Sequence, residues 1–380
     1  MRNSNVISSV AGSIKMLLMA APDLSDQDQI NRIIALQKVL QDDTGLVVWC
    51  NCAADRDKLW EIIRLKLNGA VILKGDAEAL LPSRFRVLLI SPAEATEKYS
   101  HWVRDPFLFF QRGGQLVGLV KSKAAKVEDQ TWADKYIGKL NIENLLVSIN
   151  DQIFLPMAGG NMLFDQDFIL IGYHQIASYY TSNGRSQVDN QIKKSLEERV
   201  GVKRIIAIGE KAANEPHLLP HIDLYLTLTG RRGAQSGKYI VLLGECFILN
   251  DQHPDTQNIA KGINRYLDIV LKQLLAEGFE VIRTPLPLIG KGSSSRAYLC
   301  TYNNCLVSCG ALSKTVWLPR YTFGVSHEPW YEAMKIAENK NVSIWESMVY
   351  EVRFVDANFH SIVDDKGSLH CITQELLRWV

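Results

Sequence analysis

Short apolar runs recur along the whole chain, and each is bounded by Gly, Pro, Asn or Asp. Their lengths and their content of β-branched residues are typical of strands. The runs that predict strands are TGLVVWCNC, RFRVLLIS, DPFLFFQRGGQLVGLVK, NLLVSINDQIFLP, DFILIGYH, KRIIAIGE, HIDLYLTLTG, KYIVLLGECFIL, FEVIRTPLP, AYLCTYNNCLVSCG, TVWLPRYT and YEVRFVD.

Amphipathic helical patterns separate these runs, so the chain is predicted to be α/β. Pairs of strand runs often follow each other through a tight turn before the next helix, and FLFFQRGGQLVGLV predicts a hairpin that turns at Gly113 and Gly114. Hairpins that alternate with single helices at a spacing of roughly 50 to 70 residues indicate a repeated unit. The helical patterns are DQINRIIALQKVLQ, RDKLWEIIRLKLN, QVDNQIKKSLEERV, NIAKGINRYLDIVLKQLLAEG and WYEAMKIAENK.

The domain organisation follows less directly, because a chain of 380 residues suggests two or three domains by its length alone. No long linker or low-complexity segment marks a boundary, so one large repeat-built domain over residues 1–380 competes with two domains. Within residues 1–30, the run IKMLLMAAP is interpreted as a helix or a leader remnant, and the role of this segment stays uncertain. No stretch reaches the roughly 18 apolar residues of a membrane span.

Charge and cysteine content narrow the partners and the compartment. Lys and Arg number 42 against 41 Asp and Glu, which gives no reason to expect nucleic acid or a membrane surface as a partner. The seven cysteines are odd in number and sparse, which favours reduced thiols and a cytoplasmic location. Cys50 and Cys52, and the trio Cys300, Cys305 and Cys309, lack the spacing of zinc fingers, so we expect no metal. A homo-oligomer stays open.

Polar residues inside apolar runs are the informative ones, because an unpaired buried charge is costly. Asp105 stands between Arg104 and aromatic residues, and on a strand its side chain would point away from that of Arg104. His221 and Asp223 are two positions apart in a strand-like run and would share one face. A His and a carboxylate on one face can bind metal, join a salt-bridge network or transfer protons.

Two further places carry candidate chemistry. Gly159 and Gly160 would let the backbone approach another group closely before a strand that begins at Met162, although a plain turn explains them too. Cys371, in KGSLHCITQEL, is either a core residue or a nucleophile whose thiolate is stabilised by a nearby cation or base. As its chain neighbour, His370 is expected to point away, which leaves His221 as the better base.

These pieces, in this order, resemble the guanidine-modifying enzymes of the pentein superfamily, closest to its bacterial peptidylarginine deiminase and agmatine deiminase branch. The matching motifs are WVRD at 102–105, GGN at 159–161, HID at 221–223 and GSLHCITQ at 367–374, and SRAYLCTYNNCLVSCG and VWLPRYTFG resemble a further repeat. The similarity covers roughly residues 80 to 380, whereas the first 80 fit only a generic α/β unit. It implies a five-fold pseudosymmetric α/β propeller of ββαβ-type units around a central channel, and therefore a single catalytic domain.

The resemblance also implies a mechanism that needs no cofactor. Asp105 and Asp223 would hold a planar guanidinium through forked hydrogen bonds. Cys371 would attack the guanidino carbon and form a covalent thiouronium, while His221 would protonate the departing ammonia and later take a proton from water. Arginine would become citrulline, or a related guanidine would become its ureido product.

The substrate follows from one departure from the family pattern. Agmatine and free-arginine deiminases carry Glu immediately before the paired glycines, and this chain has Ala158 there, which favours arginine within a peptide. Asn161 would be a neutral hydrogen-bonding residue of the site, beside Gly160. Trp102, Arg104 and Arg296 are further candidates for contact with the substrate backbone, or are packing residues.

Three alternatives remain. The chain is an agmatine or free-arginine deiminase, or an amidinotransferase that passes the amidino group to an amine, since HID occurs in those enzymes too. A reading of another class is a non-catalytic pentein that binds arginine-bearing peptides. A cysteine protease has the thiol and the His, but the sequence lacks a recognisable nucleophile-helix signature.

Overall fold

The computed structural model describes residues 8–67, 71–76, 85–92, 99–105, 158–173, 204–209, 216–249, 254–290 and 297–379, and in addition short strands at 4–6, 107–112, 115–121, 141–142, 145–146 and 152–153. Strands dominate these residues. They are β1 (Ser4–Val6), β2 (Ser13–Ala21), β3 (Gly45–Cys50), β4 (Ile72–Asp76), β5 (Val87–Ser91), β6 (Phe107–Arg112), β7 (Gln115–Lys121), β8 (Asn141–Ile142), β9 (Leu145–Leu146), β10 (Gln152–Ile153), β11 (Met162–Phe164), β12 (Phe168–Gly172), β13 (Arg204–Ile208), β14 (Leu226–Arg232), β15 (Tyr239–Ile248), β16 (Glu280–Gly290), β17 (Ala297–Leu299), β18 (Leu306–Cys309), β19 (Lys314–Pro319), β20 (Glu351–Val355) and β21 (Gln374–Trp379).

Of the α-helices in the described residues, all but the last lie between strands that run parallel to each other within one sheet. Local signals in the sequence fix their ends: the Asp26 side chain accepts a hydrogen bond from the backbone N–H of Gln29 and so caps the first of them. Their bounds are Gln27–Val39, Ala53–Lys66, Pro254–Ala276, Tyr331–Ser347 and His360–Val363. Helices therefore serve as crossover connections, as in other α/β folds.

One arrangement recurs in the sheets, in which two antiparallel strands are followed by a third that runs parallel to the second. It is seen in β11-β12-β13, in β14-β15-β16, where β17 adds an edge, and in β18-β19-β20. The helix Pro254–Ala276 connects β15 to β16, and Tyr331–Ser347 connects β19 to β20. These are ββαβ units, and the α/β prediction is confirmed.

The same order of strands appears in the sheet β1-β6-β7-β10. Strands β6 and β7 pair antiparallel from Phe107 opposite Val120 to Arg112 opposite Gln115, so the predicted hairpin is confirmed, although Gly113 and Gly114 themselves lie outside the described residues. With β21-β2-β3-β5-β4, five sheets of three or more strands occur in the described part of the chain. Their arrangement about a single axis stays a prediction.

The segment IKMLLMAAP is not the helix or leader remnant expected from the sequence, and that interpretation is wrong. It lies in β2, which pairs with β3 on one side and with β21 on the other. A strand with neighbours on both sides and buried faces reads as an unbroken apolar run, which periodicity alone does not distinguish from a helix. Residues 13–21 and 374–379 therefore belong to one sheet.

Buried apolar side chains form two clusters. One is centred on the sheets that contain β11 to β17, and the other on the sheet that contains β2, β3, β5 and β21. Trp102 packs against both clusters, and Cys371 belongs to the first. No helix of the described residues is long and apolar enough to cross a membrane.

Candidate active site

Three reactive side chains meet at the centre of the site. An imidazole nitrogen of His221, a carboxylate oxygen of Asp223 and the Sγ atom of Cys371 all lie within 4.8 Å of one another. Asp223 is 1% exposed and Cys371 6%, whereas His221 is only half buried. A base, an acid and a thiol at such separations can exchange protons and attack a bound electrophile.

A short turn, rather than a strand, positions His221 and Asp223. His221 precedes the 3-10 helix Ile222–Leu224, and β14 begins only at Leu226. The strand-like alternation predicted for this pair is therefore wrong. Both side chains nevertheless meet, His221 from the extended residue before the 3-10 helix and Asp223 from within it.

The carboxylate of Asp223 is only half satisfied. Its Oδ2 atom accepts a hydrogen bond from Nδ1 of His370 at 2.9 Å and one from Sγ of Cys371 at 3.5 Å. Its Oδ1 atom is buried and has no hydrogen-bond partner among the described residues. A buried acceptor without a donor is costly, so this oxygen is suited to a ligand that carries N–H groups.

His370 differs from the expectation that it points away from Cys371. Residues 368–373 form a turn, in which the N–H of Ile372 donates to the carbonyl of Ser368, so neighbouring side chains do not alternate as on a strand. Burial lowers the pKa of His370, and the nearby charge of Arg104 lowers it further. A neutral imidazole with its proton on Nδ1 then donates to the Asp223 carboxylate.

The surroundings of Cys371 disfavour ionisation of its thiol. Burial raises its pKa well above the ordinary value, and the charges of Asp223 and Asp105 add to that increase. Hydrogen bonds from the backbone of Ser368 and from the side chain of Asn304 act in the opposite direction. A cation beside the sulfur would offset these charges and favour the thiolate.

Asp105 is almost wholly buried and lies at the end of a turn over residues 101–105, where its backbone N–H donates to the carbonyl of Trp102. The strand geometry expected there is wrong, since β6 begins at Phe107. Asp105 thus reaches the surroundings of Cys371 from a turn, in the same way as Asp223.

The guanidinium of Arg104 contacts other groups of the protein. Its Nη2 atom forms an ion pair of 2.5 Å with Glu375, and its Nε atom donates to the carbonyl of His370 at 2.7 Å. Glu375 also pairs with Arg378. Burial by itself would raise the pKa of Glu375, but Arg104 and Arg378 lower it to about 2. These contacts tie the turn that carries Asp105 to the turn that carries Cys371.

Gly160 lies directly against His221 and Asp223, and Asn161 follows it in the chain. A Cβ atom at Gly160 would lie 2.8 Å from Nδ1 of His221 and 2.9 Å from Oδ2 of Asp223, so only glycine allows this approach. Nδ2 of Asn161 donates to the carbonyl of Gly172, whereas its buried Oδ1 has no partner among the described residues. The preceding residue, Ala158, is buried.

Trp102 packs over the loop that carries the cysteine. A Cβ atom at Gly367 would lie 2.2 Å from its ring, so the indole rests directly on the backbone there. Arg296 lies outside the described residues. The roles proposed for Trp102, Arg104 and Asn161 in binding substrate stay predictions.

A further residue, Asn304, was not singled out from the sequence. Its Nδ2 atom donates to Sγ of Cys371 at 3.1 Å, and its Oδ1 atom accepts from the backbone N–H of Cys371 at 3.2 Å. The only signal for it was its place in the NN pair of AYLCTYNNCLVSCG, just before a strand.

The site draws on all five sheets in one manner. In each sheet, the contributing residue lies just before the first strand of the hairpin or of the antiparallel pair: Asp105 before β6, Asn161 before β11, Asp223 before β14, Asn304 before β18 and Cys371 before β21. The three groups of His221, Asp223 and Cys371 would also suit a metal ion by their mutual distances.

Comparison with known proteins identifies the family. The sequence profile of the Porphyromonas-type peptidyl-arginine deiminase family matches residues 72–376, which is most of the chain. A search among curated proteins gives no match.

Solved structures match over the full length. A substrate-bound cysteine-to-serine variant of C. jejuni agmatine deiminase aligns with a TM-score of 0.62 and 15% identity, covering 100% of this chain and 98% of that one. A second structure of C. jejuni agmatine deiminase aligns with a TM-score of 0.59 and 16% identity, again covering 100% of this chain and 98% of that one. A structure described as a putative peptidyl-arginine deiminase gives 0.59 and 17% and covers 100% of both chains. These similarities establish the shared fold.

The profile match begins somewhat before the region in which the sequence motifs were recognised and ends within the last strand. The resemblance to the pentein branch of peptidylarginine and agmatine deiminases is thereby confirmed. The chain belongs to the Porphyromonas-type peptidyl-arginine deiminase family.

Proposed function

We propose that the protein hydrolyses a guanidinium group, converting arginine within a peptide to citrulline and releasing ammonia. The family to which the chain belongs is one of deiminases, which are hydrolases of amidine carbon–nitrogen bonds. The observation that carries the proposal is the unpartnered Oδ1 of Asp223 beside a neutral thiol and a histidine. Such a site binds a flat cation that donates hydrogen bonds.

The cation would activate its own attacker. A guanidinium held by Asp105 and Asp223 offsets the two negative charges that keep the Cys371 thiol protonated. The thiol proton passes to His221, and the Sγ–carbon bond forms as sulfur attacks the guanidino carbon. Substrate binding thus switches the nucleophile on, and an empty site leaves it inert.

The remaining steps return the enzyme to its starting state. The bond from the carbon to one terminal nitrogen breaks, His221 delivers the proton to that nitrogen, and ammonia leaves a thiouronium on Cys371. Water then attacks the same carbon and gives one proton to His221. The carbon–sulfur bond breaks as the remaining hydroxyl proton passes to Sγ, which releases the ureido product and restores the thiol, and His221 gives its proton to ammonia or to solvent. Acid–base transfer of this kind contributes about two to four orders of magnitude in rate.

The choice of peptidyl arginine rests on Ala158. It is a buried methyl group where free-guanidine deiminases carry Glu, so it can neither bind a guanidinium nor exchange a proton with a histidine. A substrate anchored by a peptide backbone does not need the charge of that Glu. Hydrolysis of agmatine or free arginine, and amidino transfer, are the alternatives that the test below separates.

The five ββαβ-type sheets support a further part of the proposal, that residues 1–380 form one catalytic domain with the sheets arranged around a central site. Each sheet supplies a residue from the same relative position, which is the pattern expected if five repeats surround one axis.

The test is a substrate panel of free arginine, agmatine and an arginine peptide blocked at both ends, read by ammonia release and by a colour reaction for ureido groups. We expect the blocked peptide to be the best substrate and Cys371→Ser to abolish turnover. Cys246→Ser removes another buried thiol, on β15, and should leave turnover intact.

Other outcomes contradict the proposal in distinct ways. Formation of ornithine with an added amine would show amidino transfer. Binding of the peptide without ammonia release would show a binding protein, and full activity of Cys371→Ser would remove the sulfur from the mechanism.

A further inference from the structure

The carboxamide of Asn304 contacts both halves of the reactive centre. Its Nδ2 atom donates to Sγ of Cys371 at 3.1 Å and lies 3.4 Å from the backbone carbonyl of Asp223, while its Oδ1 atom accepts from the backbone N–H of Cys371. The side chain is fully buried.

These contacts also fix which way the amide faces. The backbone N–H of Cys371 can only donate, and the carbonyl of Asp223 can only accept, so Oδ1 must face the former and Nδ2 the latter. A reversed amide would place two donors together and two acceptors together. The group that faces the sulfur is therefore an N–H donor.

The backbone around Asn304 holds the amide in place. Its N–H donates to Oγ1 of Thr301, whose hydroxyl in turn donates to the carbonyl of Leu224, next to Asp223. The carbonyl of Asn304 accepts from the N–H of His370. The segment of Asn304 is thus hydrogen-bonded both to the turn that carries Asp223 and to the turn that carries Cys371.

We propose that Asn304 is a catalytic residue, whose Nδ2–H stabilises the Cys371 thiolate by a hydrogen bond and aims the sulfur between the two carboxylates. The inference rests on the proposed function, in which Cys371 is the nucleophile. A donor is needed at this place because Asp105 and Asp223 both disfavour negative charge on sulfur. Hydrogen bonds to charged groups are the stronger kind, and the thiolate gains more from this one than the thiol does.

The test measures thiolate formation without any turnover. Iodoacetamide reacts with thiolate, so at a fixed pH below the thiol pKa its rate on Cys371 is proportional to the thiolate fraction. The rate is followed by mass spectrometry of the peptide that contains Cys371. Half-buried Cys52, in the same samples, reports any general loosening of the fold.

Asn304→Ala should slow alkylation of Cys371 by about tenfold, which is one pKa unit, and leave Cys52 unchanged. Asn304→Asp keeps an acceptor for the Cys371 N–H but removes the donor and adds charge, so the rate should fall further. It also provides the measurement if the alanine variant does not fold.

Asn303→Ala is the matched control. Asn303 is buried, and its Nδ2 atom donates hydrogen bonds to Oγ1 of Thr227 and to the carbonyl of Leu242. Within the part of the chain that the structure describes, its side chain makes no hydrogen bond to Cys371. We expect Cys371 to be alkylated at the wild-type rate in Asn303→Ala. In Asn304→Ala, by contrast, we expect kcat for deimination to fall with little change in KM.

The outcomes separate the two proposals. If Asn304→Ala or Asn304→Asp alkylates at the wild-type rate, the inference is overturned even where the wild-type protein deiminates. If the wild-type protein deiminates nothing but the rates fall as expected, the thiolate contact stands and the proposed function fails.

Discussion

At the scale of single residues, the site sets two carboxylates against a thiol. In the proposed function Asp105 and Asp223 hold a cation, and by their charge they also raise the pKa of Cys371. The same two acids should therefore affect ligand binding and sulfur reactivity in opposite directions. No purely structural role for these acids has that consequence.

Asp105→Asn should raise the alkylation rate of Cys371 at a fixed pH by several-fold to about tenfold, because one of the charges that opposes the thiolate is gone. In the same variant, deimination should fall by about a hundredfold or more, because a desolvated cation loses its partner. The rates are read by mass spectrometry of the alkylated peptide and by ammonia release. Asp43→Asn, which removes an exposed acid paired with Lys15, should change neither. If alkylation and deimination both slowed in Asp105→Asn, the binding of the guanidinium by two carboxylates would be contradicted.

The sequence predicts some of these residues better than others. His221, Asp223 and Cys371 stand in recognisable motifs, and the structure places them together. His370 and Asn304 were not predicted to matter, because their contacts depend on how distant turns meet. His370 was expected to point away because it is the chain neighbour of Cys371, but the chain forms a turn there.

At the scale of elements, a buried ion-pair network connects β21 to the site. Glu375, 2% exposed, lies between Arg104 and Arg378, and Arg378 donates further to the backbone carbonyls of Ser9 and Val307. One carboxylate therefore compensates two buried cations, and each cation holds a different segment. Removing that carboxylate takes an ion-pair partner from each of the two cations.

Glu375→Gln should lower the free energy of unfolding by about 3–5 kcal/mol at neutral pH, since it breaks a buried charge pair. The pKa of this group falls from 4.5 to about 2 in the folded protein, so its contribution is fully present above pH 4.5 and is lost as the pH falls toward 2. Urea unfolding across this range measures both effects.

The difference between the wild-type protein and Glu375→Gln should shrink through the same pH window. Glu351→Gln, which removes an exposed partner of Arg353, should cost no more than about 1 kcal/mol. A Glu375→Gln protein as stable as the wild type at neutral pH would show that the network does not hold the fold.

Elements were predicted well where apolar and polar residues alternate with a clear period, and poorly where burial on both faces removes that alternation. Most strands match apolar runs, and the hairpin β6–β7 matches its paired glycines. The run within β2 was misread, because a strand covered on both faces shows no alternation. The turns that carry Asp105 and His221 were also predicted to be strands, since apolar neighbours continued the pattern.

At the scale of the whole molecule, β2, near the start of the sequence, and β21, the last described strand, pair in one sheet. Leu18 of β2 pairs with Gln374 of β21, 356 positions later along the chain. This sheet therefore needs both ends of the sequence at once, and the Cys371 turn leads directly into its edge.

Deletion of residues 374–380 should prevent the protein from accumulating in folded form. It would uncover the apolar edge of β2 and remove Glu375 from its two cations. Circular dichroism and limited proteolysis of the purified chain measure the loss. Removal of Val380 alone leaves every residue of β21 and should be tolerated, and a well-folded protein without residues 374–380 would contradict this account.

The overall architecture was predictable only with the resemblance. Periodicity and spacing indicated an α/β chain with repeated units, but they left one and two domains equally open. Recognition of the motifs then indicated the family, which the profile over residues 72–376 confirms. The place of residues 13–21 beside β21 could not be predicted, because pairing between strands so far apart leaves no local signal.

The closure of β2 on β21 has a consequence for the order of folding. Pairing of residues 356 positions apart closes a very long loop, so we expect this sheet to form late. The turn that contains Cys371 leads into β21 and should become ordered together with it.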